Sequence, residues 1–281
     1  MLKKIDFIML SVLGGSIVAS GYINTSSDWS ASSVFVVTAP HQEVALSRDA
    51  GETVKPAEAL PDFSVIRDVH QKKQAFFDYM KPLVEQENQK VRVLRGQILG
   101  LKEKPEMTVS EKQWLMDMAG KYRIDVGDQF DRTLFRAVLA RVDIIPVSLA
   151  LAQSANESAW GTSRFAVEGH NLFGQWCFSK GCGLVPSGRP AGASYEVRRF
   201  ATVSDSVRAY IHNLNTHPNY QEMRDIRLER RLLKEPVTGP SLAEGLHAYS
   251  IRGEDYVNEL TGMIASNGLL KYDLKGQAPS T

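Results

Sequence analysis

Apolar residues recur at three- and four-residue steps along Phe76, Phe77, Met80, Leu83, Val84, Val91, Leu94 and Ile98. That spacing predicts amphipathic helix with one buried face, and Pro82 marks an expected joint or kink within it. Thr108 to Tyr122 predicts a second helix, capped by Thr108 or Ser110 and apolar along Trp114, Leu115, Met118 and Ala119. Phe130 to Val142 carries a further helical pattern. Ile144 to Gly161 differs in kind. Val147, Leu149, Ala150, Leu151, Ala152 and Ala155 leave almost no polar side, which predicts a helix buried all round. Pro146 suits its first turn and Gly161 its stop. Farther on, Asp205 is placed to cap a helix over Ser204 to Leu214. Gln221 to Glu235 mixes both charge signs densely, the pattern of a solvated helix face.

The first 61 residues have another texture. Lys3 and Lys4 precede the apolar run Phe7 to Ala19, whose second half is rich in Ser, Gly and Ala. These are the parts of a secretory signal, with Val18 and Ser20 at the −3 and −1 positions of a cleavage site. They equally fit an uncleaved anchor, since Ile5 to Ile23 approaches the roughly 20 residues that span a bilayer. Either way the remainder of the chain is exported. Residues 24–61, rich in Ser, Thr, Ala, Asp and Glu, predict a linker.

Composition narrows the classes further. The 281 residues are 43% hydrophobic and carry 33 Lys plus Arg against 32 Asp plus Glu. This excludes a collagenous, low-complexity or multi-span membrane protein, and it provides no basic field for nucleic acid. Cys177 and Cys182 are the only cysteines. In an exported chain a disulfide is expected, helped by a turn at Gly181, and closing so small a loop gains only about 2 kcal/mol. The alternatives are a metal site, which lacks further ligands, and a thiol paired with His212, His217 or His247, which lacks a supporting pattern. No metal or other cofactor is implied.

The candidate chemistry sits at the end of the buried helix. Glu157 shares a face with Gln153, Ser154 and Trp160, so an apolar helix keeps one polar stripe with a carboxyl at its far end. The negative helix terminus and apolar surroundings both disfavour an ionised carboxylate. A protonated Glu is what a general acid requires when it donates to a leaving oxygen. Gln153 and Trp160 are candidate substrate contacts, although Trp160 also suits packing beside Glu157.

Glu157-Ser158-Ala159-Trp160-Gly161, followed by Asn171-Leu172-Phe173-Gly174 and Trp176, resembles the glucosaminidase family, glycoside hydrolase family 73. The likeness continues through Arg199-Phe200, Asp205-Ser206-Val207, Tyr210, Ala248-Tyr249-Ser250 and Asp255-Tyr256, over about residues 144–270. Ala159 stands where the family usually has Gly, and Ile251-Arg252 replaces its more polar Thr-Asp. The resemblance implies an α+β, predominantly α-helical, lysozyme-like fold with a small β-lobe, preceded by an N-terminal helical region. It implies an endo-β-N-acetylglucosaminidase that hydrolyses the bond after N-acetylglucosamine in peptidoglycan glycan strands. Glu157 is then the general acid and Tyr249 the active-site tyrosine, with Asn171, Phe173 and Trp176 near the sugar. Asn171 equally suits a turn-building role. The second carboxylate is expected at Glu196, on the returning strand Ala193 to Phe200, unless the substrate's acetamido group replaces it. Glu168 reads instead as a solvated charge.

The expected organisation is leader or inner-membrane anchor (1–23), linker (24–61), helical region (62–140), glucosaminidase domain (141–273) and tail (274–281), with the working part in the periplasm.

Overall fold

The computed structural model describes residues 59–127 and 130–274. The expected leader, the linker up to residue 58 and the tail beyond residue 274 lie outside the described residues. Among the described residues no helix is long and apolar enough to cross a membrane.

Asp68 opens the first helix by accepting the Gln71 N–H at 2.8 Å. This helix, α1, runs from Val69 to Lys102 with Pro82 inside it, as one element rather than two. Thr108 caps α2 (Val109–Lys121) in a reciprocal box with Glu111. After α3 (Leu134–Arg141) comes α4 (Val147–Glu157), in which every residue from Val147 to Ala155 is buried, as its composition predicts. A short α5 (Arg164–Gly169) leads into the β-lobe of β1 (Trp176–Cys177), β2 (Gly183–Leu184) and β3 (Glu196–Arg198). The three strands are antiparallel in the order β1-β3-β2, with β3 central as the returning strand. The chain then completes the helical body with α6 (Val203–Thr216), α7 (Gln221–Leu232), α8 (Gly239–Ala243), α9 (Glu254–Ser266) and α10 (Lys271–Leu274). This is the α+β, lysozyme-like arrangement: a mainly helical body with a small antiparallel lobe.

Two apolar clusters share α1. Its first half gives Phe76, Phe77, Met80, Leu83 and Val84 to the core around α4, α6 and α9. Its second half gives Ile98 to a smaller cluster with Leu115, Met118, Phe135 and Val138 of α2 and α3. Phe63, in a single helical turn before α1, lies against Gly161. A Cβ at Gly161 would come within 2.7 Å of the Phe63 ring, so residues 62–102 are fitted to the end of α4.

The entry to α4 is held from several sides. Pro146 offers no side-chain cap, and Asp273 of α10 takes that role instead. Its carboxyl accepts the Ser148 N–H at 2.9 Å, the Ser148 hydroxyl at 2.5 Å and the Gly239 N–H at 2.8 Å. Asn88 of α1 exchanges two hydrogen bonds with Ile145, at 2.7 and 3.1 Å. Arg231 grips the buried Asp143 carboxylate through two contacts of 3.0 Å.

Two sequence expectations change here. Gln221 to Glu235 is not wholly solvated: Arg224 and Arg227 are among the largest buried side chains. Arg227 donates to the Ile144 and Ala140 carbonyls at 3.0 and 3.1 Å, filling the carbonyl-rich end of α3. Asp205 does not itself cap α6. Thr202 does, and Asp205 completes the box three residues in.

Candidate active site

Glu157 is the last helical residue of α4, and the turn after it decides where its neighbours go. The Trp160 N–H reaches back to the Ala155 carbonyl at 2.9 Å, a Schellman-type closure. Ala159, Trp160 and Gly161 all take positive φ, at 51°, 60° and 77°. Ala159 therefore occupies the position after the cap where glycine is the usual residue, which gives the family's preference a conformational reason. The same turn sends Trp160 onto α1. Its ring meets Phe76 and Phe77 edge-on at 5.8 and 5.3 Å, with the Lys73 ammonium 4.9 Å from the ring centre.

The Glu157 carboxyl ends a chain of buried hydrogen bonds. The Tyr210 hydroxyl donates to Gln153 Oε1 at 2.6 Å. Gln153 Nε2 donates to the Tyr256 hydroxyl at 2.9 Å, and that hydroxyl donates to Glu157 Oε1 at 2.9 Å. Gln153, Tyr210 and Tyr256 are each no more than 2% exposed, so Gln153 orders tyrosines from within the core. Glu157 Oε2 makes no hydrogen bond to the described residues. The residue itself is only partly buried. Beside it lies Gly174 at φ +64°, where a Cβ would stand 3.4 Å from Oε2.

Tyr249 stacks flat on Tyr256, with ring centres 5.4 Å apart and planes within 3°, and Tyr220 tilts against Tyr249. The Tyr249 hydroxyl donates to the Phe173 carbonyl at 3.0 Å, which leaves its lone pairs able to accept. Four tyrosines thus crowd one carboxyl. Burial pushes Glu157 up to about 7. The Tyr256 hydrogen bond pulls it down, Glu259 pushes it up and Arg252 pulls it down. Arg252 and Glu259 pair with each other at 2.6 Å on the rim.

The other expected residues take distinct places. Phe173 is buried and stacked face to face on Tyr210 at 3.9 Å, so it offers the site its carbonyl rather than its ring. Asn171 builds the turn that carries Gly174. Its Oδ1 accepts from Phe173 and Gln175 N–H, and its Nδ2 donates to the Gln175 and Arg198 carbonyls. Trp176 lies half-buried on β1, stacked on Tyr195 at 4.4 Å. Cys177 and Cys182 form the expected disulfide, with Cα atoms 6.2 Å apart. Glu196 sits opposite Cys177 and accepts the Gly181 and Gly183 N–H groups at 3.0 and 2.8 Å. Those two bonds hold its carboxyl below the usual range. Glu168 is exposed on α5, 3.8 Å from Arg164.

Sequence reasoning passed over Tyr210, Tyr220 and Tyr256 as site residues. Tyr256 is 99 positions from Glu157, and no local spacing ties them. The available signal was Asp255-Tyr256 inside the resemblance, to which no role attached.

A helical body with a β-lobe and a protonatable Glu at the end of a buried helix defines a glycosidase-like class, and the comparisons agree. The family model described as "Glucosaminidase: Mannosyl-glycoprotein endo-beta-N-acetylglucosaminidase" matches residues 132–269, and the chain belongs to the glucosaminidase family. It is 30% identical over 225 residues to Protein bax of Escherichia coli (strain K12), a match covering 80% of each chain. In a chain of 281 residues a match that long reaches back through α1 and α2, well ahead of residue 132. No solved structure matches.

Proposed function

We propose that the protein is an exported endo-β-N-acetylglucosaminidase that hydrolyses the β-1,4 bond after N-acetylglucosamine in peptidoglycan, with Glu157 as general acid. The observation that carries this reading is the Glu157 carboxyl at the end of a buried helix, held at Oε1 by the Tyr256 hydroxyl; burial pushes it up to about 7. A carboxyl in that range holds its proton through much of the neutral region and can release it to a leaving oxygen. The disulfide supports an oxidising compartment such as the periplasm. Tyr249, with its hydroxyl proton committed to Phe173, acts as an acceptor that orients water or a substrate hydroxyl. Glu196 already has both oxygens engaged by backbone amides. It holds the β-lobe turn, and the substrate's acetamido group supplies the second participant. Glu196→Gln is then expected to keep turnover, and loss of turnover in a folded variant would return that role to Glu196.

Mass spectrometry of digested peptidoglycan tests the activity. Reducing N-acetylglucosamine ends support the proposal. Anhydro-muramyl ends would make the protein a lytic transglycosylase on the same fold. Glycan binding that is equal in wild type and Glu157→Gln, with no product from either across several peptidoglycan types, would make it a wall-binding or scaffolding protein.

A further inference from the structure

Most of the polar chain that ends on Glu157 is sealed. Tyr210, Gln153 and Tyr256 come from α6, α4 and α9, so three separate elements converge on one carboxyl. A buried amide between two hydroxyls fixes which way each proton points. Gln153 Oε1 can only accept, so Tyr210 donates to it. Gln153 Nε2 can only donate, so Tyr256 accepts there and has its single proton left for Glu157. Oε1 is thereby an acceptor in both charge states of Glu157, and the acid proton must sit on Oε2. That is the oxygen with no hydrogen bond to the described residues, above the Cβ-free surface of Gly174.

We propose that Tyr210, Gln153 and Tyr256 form a polarised relay of positioning residues that assigns the Glu157 proton to Oε2 and holds that oxygen toward the incoming leaving group. The inference rests on Glu157 being the general acid. No member of the relay exchanges a proton in the reaction. The step they serve is transfer of the Oε2 proton to the departing glycosidic oxygen. The Oε2–H bond is replaced by an O–H bond on the leaving sugar, and the glycosidic C–O bond breaks with its electron pair going to that oxygen. The acetamido oxygen takes the sugar carbon, and Glu157 is left as the carboxylate. The new negative charge is then met at Oε1 by the Tyr256 hydroxyl, already pointed at it.

This arrangement sets the sign of an experiment. A hydrogen bond donated to the carboxylate favours the charged form. Removing it in Tyr256→Phe should raise the pH at which activity is lost. The opposite amide orientation would make Tyr256 an acceptor from protonated Glu157, and the same substitution would then lower that pH. The other ionisable groups facing Glu157 are Tyr249, Tyr220 and Tyr210, all pushed upward and neutral in the working range, together with Glu259 and Arg252. Tyr256→Phe removes none of these groups.

The test is the pH dependence of kcat on purified peptidoglycan for the full chain, with Tyr256→Phe and Gln153→Met beside wild type. A carbon-13 titration of the Glu157 carboxyl, assigned by its disappearance in Glu157→Gln, accompanies it and needs no turnover. The proposal expects the alkaline limb and the carboxyl titration to move up by about one pH unit in Tyr256→Phe. It expects a smaller move in the same direction in Gln153→Met, with kcat reduced in both. An unchanged or lowered titration in both folded variants overturns the relay. If one variant does not fold, the other decides by the same sign. Retained activity in Glu157→Gln would instead defeat the acid assignment, so the two failures are distinguishable.

Discussion

Glu157 carries a cost that its substitution should reveal. Its folded value of about 7 lies above the ordinary 4.5, so the native state holds this proton more tightly than the unfolded chain. Stability from this group is therefore fully present below about pH 4.5 and is lost as pH rises through 7. At pH 8 the ionised carboxylate costs up to about 3 kcal/mol. Glu157→Gln, close in shape and still able to accept from Tyr256, should melt several degrees higher than wild type at pH 8. The gain should vanish near pH 4, and scanning calorimetry at the two pH values measures both. Equal melting at pH 8 would mean that the carboxyl is not strained. Ala159 offers a second test at the same scale. Its φ of 51° is one that glycine adopts freely, so Ala159→Gly should stabilise by about 1 kcal/mol in denaturant unfolding. Glu157 was legible in the sequence because its signal is local: one carboxyl on an otherwise apolar helix. Tyr256 and Tyr210 were not, because they meet Gln153 only through tertiary packing of α9 and α6 against α4.

Among the elements, α4 and its entry were legible to different degrees. The all-round apolar pattern predicts the buried helix, and of the two caps offered for α2, Thr108 and Ser110, it is Thr108 that caps, with Glu111 completing the box. The charges of α7 do not read directly, because a buried arginine and a solvated one look alike in a mixed run. Arg227 is buried because α3 ends in carbonyls that need donors, and Asp143 lies close enough to balance its charge. Burial alone would raise the Asp143 carboxyl, but Arg227, Arg95 and Arg231 together hold it below the ordinary value. Its contribution is thus present above the usual carboxylate range and lost as pH falls below it. Asp143→Asn leaves Arg227 without a buried counter-charge. It should cost about 3–5 kcal/mol at pH 7, with the difference from wild type shrinking in acid. Urea unfolding at both pH values checks this, and a loss under 1 kcal/mol at pH 7 would show that the cluster does not depend on Asp143.

At the scale of the whole molecule, the sequence divides into a helical region and a family domain, and the core shows how the two are joined. Phe76, Phe77, Met80, Leu83 and Val84 of α1 lie in one cluster with α4. Losing them would expose the flank of the helix that carries Glu157. A fragment of residues 132–281, which includes the whole family-matched segment, should therefore lack a cooperative thermal transition and dispersed amide resonances, whereas residues 59–281 should show both. The site needs the same completeness, because Glu157 is placed by α1, α6, α7, α9 and α10 acting on α4. The central claim is that this placement makes Glu157 a proton donor to a glycosidic oxygen. Its most direct test is release of reducing N-acetylglucosamine ends from peptidoglycan by wild type and by folded Glu157→Gln, side by side. The account predicts such ends from wild type and at least a hundredfold fewer from the variant, on the order of a lost general acid. Comparable release from both would contradict it.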